Sequence, residues 1–143
     1  MTETLAALFF AHVLADFVFQ TGWMVANKRR MAGLAAHSTV VLVTAVVVTG
    51  GLGWGLLWLS ASHLVIDAVK TRIRGGLGPF LLDQAAHLGT ILALALWQPE
   101  LWAEGLWAGY DFLPPLMLVT AGALMATRAG GFVIGLLMEP FAA

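Results

Sequence analysis

Five long apolar stretches divide the chain, and each has about the length of a helix that crosses a bilayer. Such a helix needs about 20 mostly apolar residues. The stretches cover roughly residues 3–26, 33–50, 53–74, 79–98 and 114–138. This pattern predicts an all-α fold: a polytopic membrane bundle of about five transmembrane helices that forms one domain over residues 1–143.

Glycine and proline mark most of the boundaries. A glycine-rich turn starting at Gly50 follows the second stretch, Pro99 follows the fourth, and Pro114 begins the fifth. Glycine beyond a helix end and proline in a first turn are the usual arrangement. A glycine pair at 130–131 falls inside the fifth stretch. The pattern therefore leaves open whether 114–138 forms one helix or two pieces.

Composition supports a membrane protein and excludes several kinds of site. Apolar residues make up 60% of the chain and charged residues only 10%, against about 25% charged in soluble domains. The net charge of −1 provides no basic field for nucleic acid. The chain has no cysteine, so disulfides, thiolate catalysis and thiolate metal sites are excluded.

The distribution of charge predicts an orientation. Six of the seven basic residues fall at two loops on one side: Lys28, Arg29, Arg30, Lys70, Arg72 and Arg74. Acidic residues mark the other side: Glu3, Glu100, Glu104 and Asp111. The positive-inside rule places the basic loops in the cytoplasm and the N-terminus outside. Five of the six tryptophans and Tyr110 gather near the outer boundary, where amphipathic rings prefer to lie.

Histidine and aspartate recur inside these apolar stretches at a spacing of four residues. The pairs are His12 with Asp16, His63 with Asp67, and Asp83 with His87, while His37 stands alone. Residues four apart share one face of a helix. Gln20 extends the first polar face and Lys70 extends the second. Counted from the predicted cytoplasmic ends, these positions on four helices fall mainly in the same half of the membrane.

The free-energy cost of placing these polar residues in a membrane predicts that they share one site. An aspartate at the centre of a membrane helix costs about 2.5–3.5 kcal/mol, and Lys70 and Arg128 are the only basic residues expected within reach. A divalent transition metal (Zn, Mn, Fe or Co) would supply the missing positive charge. The predicted metal ligands are His12, Asp16, His37, His63, Asp67, Asp83 and His87, with His37 at the rim. The predicted catalytic residues are Asp16, Asp67 and Lys70.

Other polar residues receive simpler interpretations. Gln20 and Gln84 are expected to support the ligands or to pack. The basic run from Lys28 to Arg30 is explained by topology alone, and a lysine at position 70 commonly extends its ammonium group to the membrane surface. Arg128 is expected to pair with an aspartate or to meet an anionic substrate.

The motifs together suggest a family. The series HVLADFVFQ, the isolated His37, HLVIDAVKTR and FLLDQAAH resembles a family of small bacterial membrane proteins known only as a domain of unknown function. The likeness covers residues 5–90 and implies a multi-pass protein of the bacterial inner (cytoplasmic) membrane. The residue types are also loosely similar to those of integral-membrane metal-dependent hydrolases.

Three functions remain open at this point. The first is a metal-dependent hydrolase that acts on a lipid or another amphipathic substrate, beside basic loops that suit an anionic head group. The second is a transporter or channel for divalent metal or protons, for which chains of Asp and His are typical. The third is a metal-free structural protein held by hydrogen bonds. The polar positions stop near His12, which favours a pocket with one opening. Because 143 residues and five helices are few for alternating access, the transporter would need a homo-oligomer.

Overall fold

The computed structural model describes residues 1–141, and within them the protein is all-helical. The main helices are α1 (Thr2–Phe17), α2 (Gly22–Asn27), α3 (Met31–Thr49), α4 (Trp54–Lys70), α5 (Leu77–Trp97), α6 (Leu113–Leu124) and α7 (Gly130–Met138). A π-helical segment, Met125–Ala129, joins α6 to α7, and a 3₁₀ turn, Glu139–Phe141, follows α7.

Three helices are long and apolar enough to cross a membrane. They are α3, α5 and the continuous helix Leu113–Met138, which comprises α6, the π segment and α7. The sequence predicted five. Two of the five predicted spans correspond to helices shorter than the roughly 20 residues of a usual span: α1 has 16 residues and α4 has 17. Large apolar side chains remain exposed on the three long helices, including Val47, Leu96 and Val119, which is consistent with a membrane protein.

The first predicted stretch, 3–26, is two helices rather than one. Helix α1 ends at Phe17, and Thr21 begins α2 by accepting a hydrogen bond on Oγ1 from the Met24 amide at 3.3 Å. A threonine cap of this kind is a local start signal within an apolar sequence. The third stretch also ends earlier than predicted, at Lys70. The fifth is one helix, and the π segment lies immediately before its glycine pair.

Helix α1 occupies the centre of the bundle. It packs against α3, α5 and α6. Alanines at four positions of α1, Ala6, Ala7, Ala11 and Ala15, are at most 3% exposed. Small residues let helices approach closely in a membrane bundle. The close approach brings His12 and Asp16 within reach of α3, α4 and α5.

The loop between α5 and α6 covers the outer end of α3. Gly50 ends α3 in a left-handed conformation with φ of 76°, and its carbonyl accepts a hydrogen bond from the Leu106 amide at 3.0 Å. A Cβ at Gly105 would lie 1.9 Å from the Thr49 carbonyl oxygen. Trp102 in this loop is 5% exposed and joins the core, whereas Trp54 is 79% exposed at the start of α4.

Candidate metal centre

Four helices bring all four histidines and three aspartates into one buried cluster. We call it the His/Asp cluster: His12 and Asp16 on α1, His37 on α3, His63 and Asp67 on α4, and Asp83 and His87 on α5. Neighbouring imidazole rings lie 4.0–6.0 Å apart between centroids. Six of the seven residues are at most 5% exposed. The Asp16 side chain is 9% exposed.

Three ligand atoms at the centre of the cluster form a compact triangle. His37 Nε2 and His63 Nε2 are 3.0 Å apart. Asp16 Oδ1 lies 3.3 Å from the first and 3.5 Å from the second. Metal–ligand bonds of 2.0–2.1 Å in a tetrahedral arrangement place neighbouring ligand atoms about 3.3 Å apart. The three separations therefore fit one ion bound to all three atoms, which we call the inner triangle.

Two atoms of the inner triangle's side chains lack hydrogen-bond partners. Within residues 1–141, Asp16 Oδ1 and His37 Nδ1 are both buried and unpartnered. A buried carboxylate oxygen without a donor is costly. A cation at the inner triangle would satisfy Asp16. His37 is 0% exposed, so the prediction that it lies at the rim of the site is wrong.

His12 lies beside Asp16 of the inner triangle. The Gln84 amide nitrogen donates to Asp83 Oδ2 at 3.1 Å, so the Gln84 carbonyl faces His12 Nε2 at 3.4 Å. With this orientation of the Gln84 amide, the neutral tautomer that donates to it carries the His12 proton on Nε2. Its Nδ1 is left as an acceptor 3.8 Å from Asp16 Oδ1. Two acceptors face each other there, an arrangement that a cation would stabilise.

Two serines fix α3 against α4 beside the inner triangle. The Ser38 hydroxyl donates to the Ser60 carbonyl, and the Ser60 hydroxyl donates to the Ser38 carbonyl, both at 2.9 Å. The two hydroxyl oxygens are 2.8 Å apart. Ser38 follows His37 directly, and Ser60 lies one helical turn before His63. The serine pair therefore sets the separation of the two imidazoles.

Asp67 also lies beside the inner triangle and is held by a lysine. Its Oδ2 lies 3.6 Å from His37 Nε2 and 3.7 Å from His63 Nε2. Lys28 Nζ lies 2.8 Å from this oxygen and 3.0 Å from Oδ1. The side chain of Lys28 is only 14% exposed. From the sequence, Lys28 was explained by topology alone, and Lys70 was the only lysine expected within reach of the aspartates. The structure corrects both points, because Lys28 pairs with Asp67.

The third aspartate forms a separate ion pair. Lys70 Nζ donates to Asp83 Oδ2. His87 donates from Nδ1 to the Asp83 carbonyl at 2.9 Å, because a carbonyl oxygen can only accept. Its Nε2 and Asp83 Oδ1 are buried without partners among the described residues. Asp83, His87 and Asp67 offer a second group of ligand atoms within 4.8 Å of one another.

A small cavity borders the cluster on the side of Leu8 and Leu59. It has a volume of ≈ 10 Å³ and lies against His12, His63 and His87, and its other walls are mostly aliphatic side chains such as Leu8 and Leu59. This volume is about that needed for a single water molecule.

On the side of the basic loops, the cluster borders a much larger space. A cavity of ≈ 440 Å³ is lined by polar and basic side chains that include Gln20, Lys28 and Lys70. Each of the three also contacts the cluster: the Gln20 amide nitrogen lies 3.0 Å from His37 Nε2, in a contact that a metal ion on that nitrogen would replace, and the lysines pair with Asp67 and Asp83. We call this space the basic cavity.

Comparison with known families supplies the identification. A family model described as "Protein of unknown function (DUF3307)" matches residues 4–106, which is more than two thirds of the chain. The chain belongs to the DUF3307 family. The matched region extends past the predicted 5–90 and contains every residue of the His/Asp cluster, whereas Arg128 lies outside it. No curated protein matches this DUF3307 protein. No solved structure matches it either.

Arg128 does not join the cluster. It is exposed on the π segment, and no ion pair involves it within residues 1–141. The residue that sequence reasoning missed is Lys28. Its partner Asp67 is 39 positions away, and the only local signal was an excess of aspartates over nearby lysines.

Proposed function

We propose that this protein is a metal-dependent hydrolase of the bacterial inner membrane that binds one divalent transition metal ion in the His/Asp cluster. The inner triangle supports the metal site. Its three separations of 3.0–3.5 Å fit ligand atoms shared by one ion. Three protein ligands and an open position are typical of catalytic zinc, whereas structural sites are closed by four.

The count of charges favours one ion over two. The three aspartates and the two lysines paired with them leave a net charge of −1 if the histidines are neutral. One divalent ion changes this to +1. A second would leave +3 inside a helical bundle, where unpaired charge is costly. Asp83 and His87 then support the site without binding a second ion.

The proposed reaction is attack of metal-activated water on a lipid-borne or other amphipathic substrate. A bound metal lowers the pKa of its water and polarises a carbonyl or phosphoryl oxygen. Asp67 is placed to accept the proton from that water, because it faces the inner triangle and its partner Lys28 lines the basic cavity. Substrate and water would enter from the cytoplasmic side. The small and mostly aliphatic cavity beside Leu8 and Leu59 favours this pocket over a transport path.

The topology is part of the proposal. We infer five membrane segments, with the N-terminus outside and the basic loops in the cytoplasm, from the charge asymmetry. Helix α1 is short for a bilayer of about 30 Å. It is surrounded by α3, α5 and α6, however, so its length need not match the lipid. Helix α4 would be accommodated by local thinning of the bilayer.

Elemental analysis tests the metal site. Protein purified in detergent without chelator should contain about one equivalent of Zn, Mn, Fe or Co. The variants Asp16→Asn, His37→Ala and His63→Ala should each lose the metal and still insert in the membrane. His87→Ala is the matched control, because it removes a buried imidazole outside the inner triangle and should retain the ion. Wild-type protein without metal, and with no thermal stabilisation by any of the four ions, would refute the hydrolase.

A further inference from the structure

The basic cavity contains cations that the His/Asp cluster does not use. Lys28 and Lys70 line it but are already paired with Asp67 and Asp83. Arg29 and Arg74 also line it. Both are exposed, and neither guanidinium makes an ion pair within the described residues. The cavity therefore has two uncompensated positive charges beside two partly compensated ones.

The remaining walls of the basic cavity are apolar. Val25 and Ile73 also line it, and Phe80 and Phe132 form a tilted aromatic pair with ring centroids 5.4 Å apart. Phe132 belongs to α7, so the wall reaches one of the three long apolar helices. A free inorganic anion would gain no favourable contact from such an apolar wall. An amphiphile with an anionic head group would contact both parts.

The kind of positive charge favours phosphate. A guanidinium presents a planar fork of N–H donors that binds phosphate in a bidentate manner, and a lysine ammonium adds three more donors. Two arginines and two lysines around one space supply more donors than a single carboxylate can accept. The volume of ≈ 440 Å³ also lies within the range of small-molecule sites.

The position of the basic cavity relates it to the proposed metal centre. Gln20 lines the cavity and contacts His37, while Lys28 lines it and contacts Asp67. A phosphate held by Arg29 and Arg74 would thus be separated from the inner triangle by single side chains. With one divalent ion bound, the cluster carries +1, which an anionic group would offset.

We propose that the basic cavity binds the phosphate head group of a lipid, with Arg29 and Arg74 as the specificity-determining cations, and that the metal centre hydrolyses this phosphate ester. The oxygen of water would bond to phosphorus, the P–O bond to the lipid alcohol would break, and the alcohol would leave with a proton taken from that water. The last part rests on the proposed hydrolase function. The binding site itself rests on the cavity and its charges alone.

Native mass spectrometry of the metal-containing protein in maltoside detergent tests the binding site. Dioleoyl phosphatidic acid is the probe, and oleate and inorganic phosphate are titrated separately. The double variant Arg29→Gln/Arg74→Gln should weaken phosphatidic acid binding by about tenfold or more. The matched control Arg30→Gln/Arg72→Gln removes two exposed arginines from the same loops that do not line the cavity, and should change binding by less than about twofold.

Three results would overturn the lipid-phosphate site: equal weakening in the two double variants, inorganic phosphate binding as tightly as the lipid, or oleate binding as tightly as phosphatidic acid. Metal content is measured on the same samples. Selective loss of lipid binding from the Arg29/Arg74 variant at unchanged metal content supports the proposal. If wild-type protein lacks metal but shows that selective loss, the hydrolase fails and the lipid site stands. If metal is present and no lipid binds, the lipid site fails and the hydrolase stands.

Discussion

Replacing Lys28 by Met should destabilise the metal-free protein far more than any other change in the basic loop. Lys28 Nζ lies 2.8 and 3.0 Å from the two oxygens of Asp67, and Asp67 is 2% exposed. Methionine keeps much of the apolar stem and removes the ammonium, which leaves a buried carboxylate without its cation. Breaking a buried pair in this way costs about 3–5 kcal/mol.

The assay is denaturant unfolding in detergent micelles, followed by the helical circular dichroism signal after treatment with chelator. Arg30→Met is the matched control, since Arg30 is exposed and unpaired in the described structure, and should cost less than about 0.5 kcal/mol. The double variant Lys28→Met/Asp67→Asn should recover much of the loss, because both charges are gone. A Lys28→Met cost no larger than that of Arg30→Met would show that the ion pair is not buried.

Zinc provides a second measurement on the same variants. If a metal ion binds beside Asp67, it replaces part of the charge that Lys28 supplied. Saturating Zn²⁺ should then raise the unfolding free energy of Lys28→Met by more than it raises that of the wild type. An equal gain in both proteins would place the ion away from Asp67.

Further variants test the packing, the topology and the ligands. Ser38→Ala should lower the free energy of unfolding by about 1 kcal/mol. In a double-mutant cycle of thermal unfolding, the double variant Ser38→Ala/Ser60→Ala should lose less than the sum of the two single losses. Gly105→Ala should cost at least about 1–3 kcal/mol, because its Cβ would strike a carbonyl oxygen of α3; Gly109→Ala, with nothing within 4 Å, is its control. The chain has no cysteine, so a single cysteine at Gly109 should react with an impermeant reagent outside whole cells, and one at Gly75 should not; the reverse result would invert the orientation. Equilibrium dialysis should show weaker zinc binding in acid, since protons compete for the imidazole nitrogens; affinity that is independent of pH would argue against histidine ligands.

The sequence predicted the helical class and the membership of the cluster because both follow from local spacing. Apolar runs locate helices, and an interval of four residues places His12 and Asp16 on one face. The break after α1 was missed because Val18 and Phe19 continue the apolar run. Only the Thr21 cap marks the new helix.

The details of the cluster could not be predicted, since they depend on how the helices pack. His37 was placed at the rim because it lies near the start of its helix. It is buried because the chain before α3 folds back, so that Gln20 reaches its Nε2. The pairing of Lys28 with Asp67 joins residues 39 positions apart, and no periodicity in the sequence reports such a contact.

The π segment determines which side of the last helix faces the basic cavity. Each residue of an α-helix advances the direction of its side chains by about 100°, and a π turn accommodates an extra residue. If Met125–Ala129 kept its length but wound as regular α-helix, Phe132 would swing by about 100° away from Phe80. The seven polar residues between positions 12 and 87 would keep their places. The His/Asp cluster and the fit of the apolar wall can therefore change independently, the first within the region shared by the family and the second through the winding of one segment beyond it.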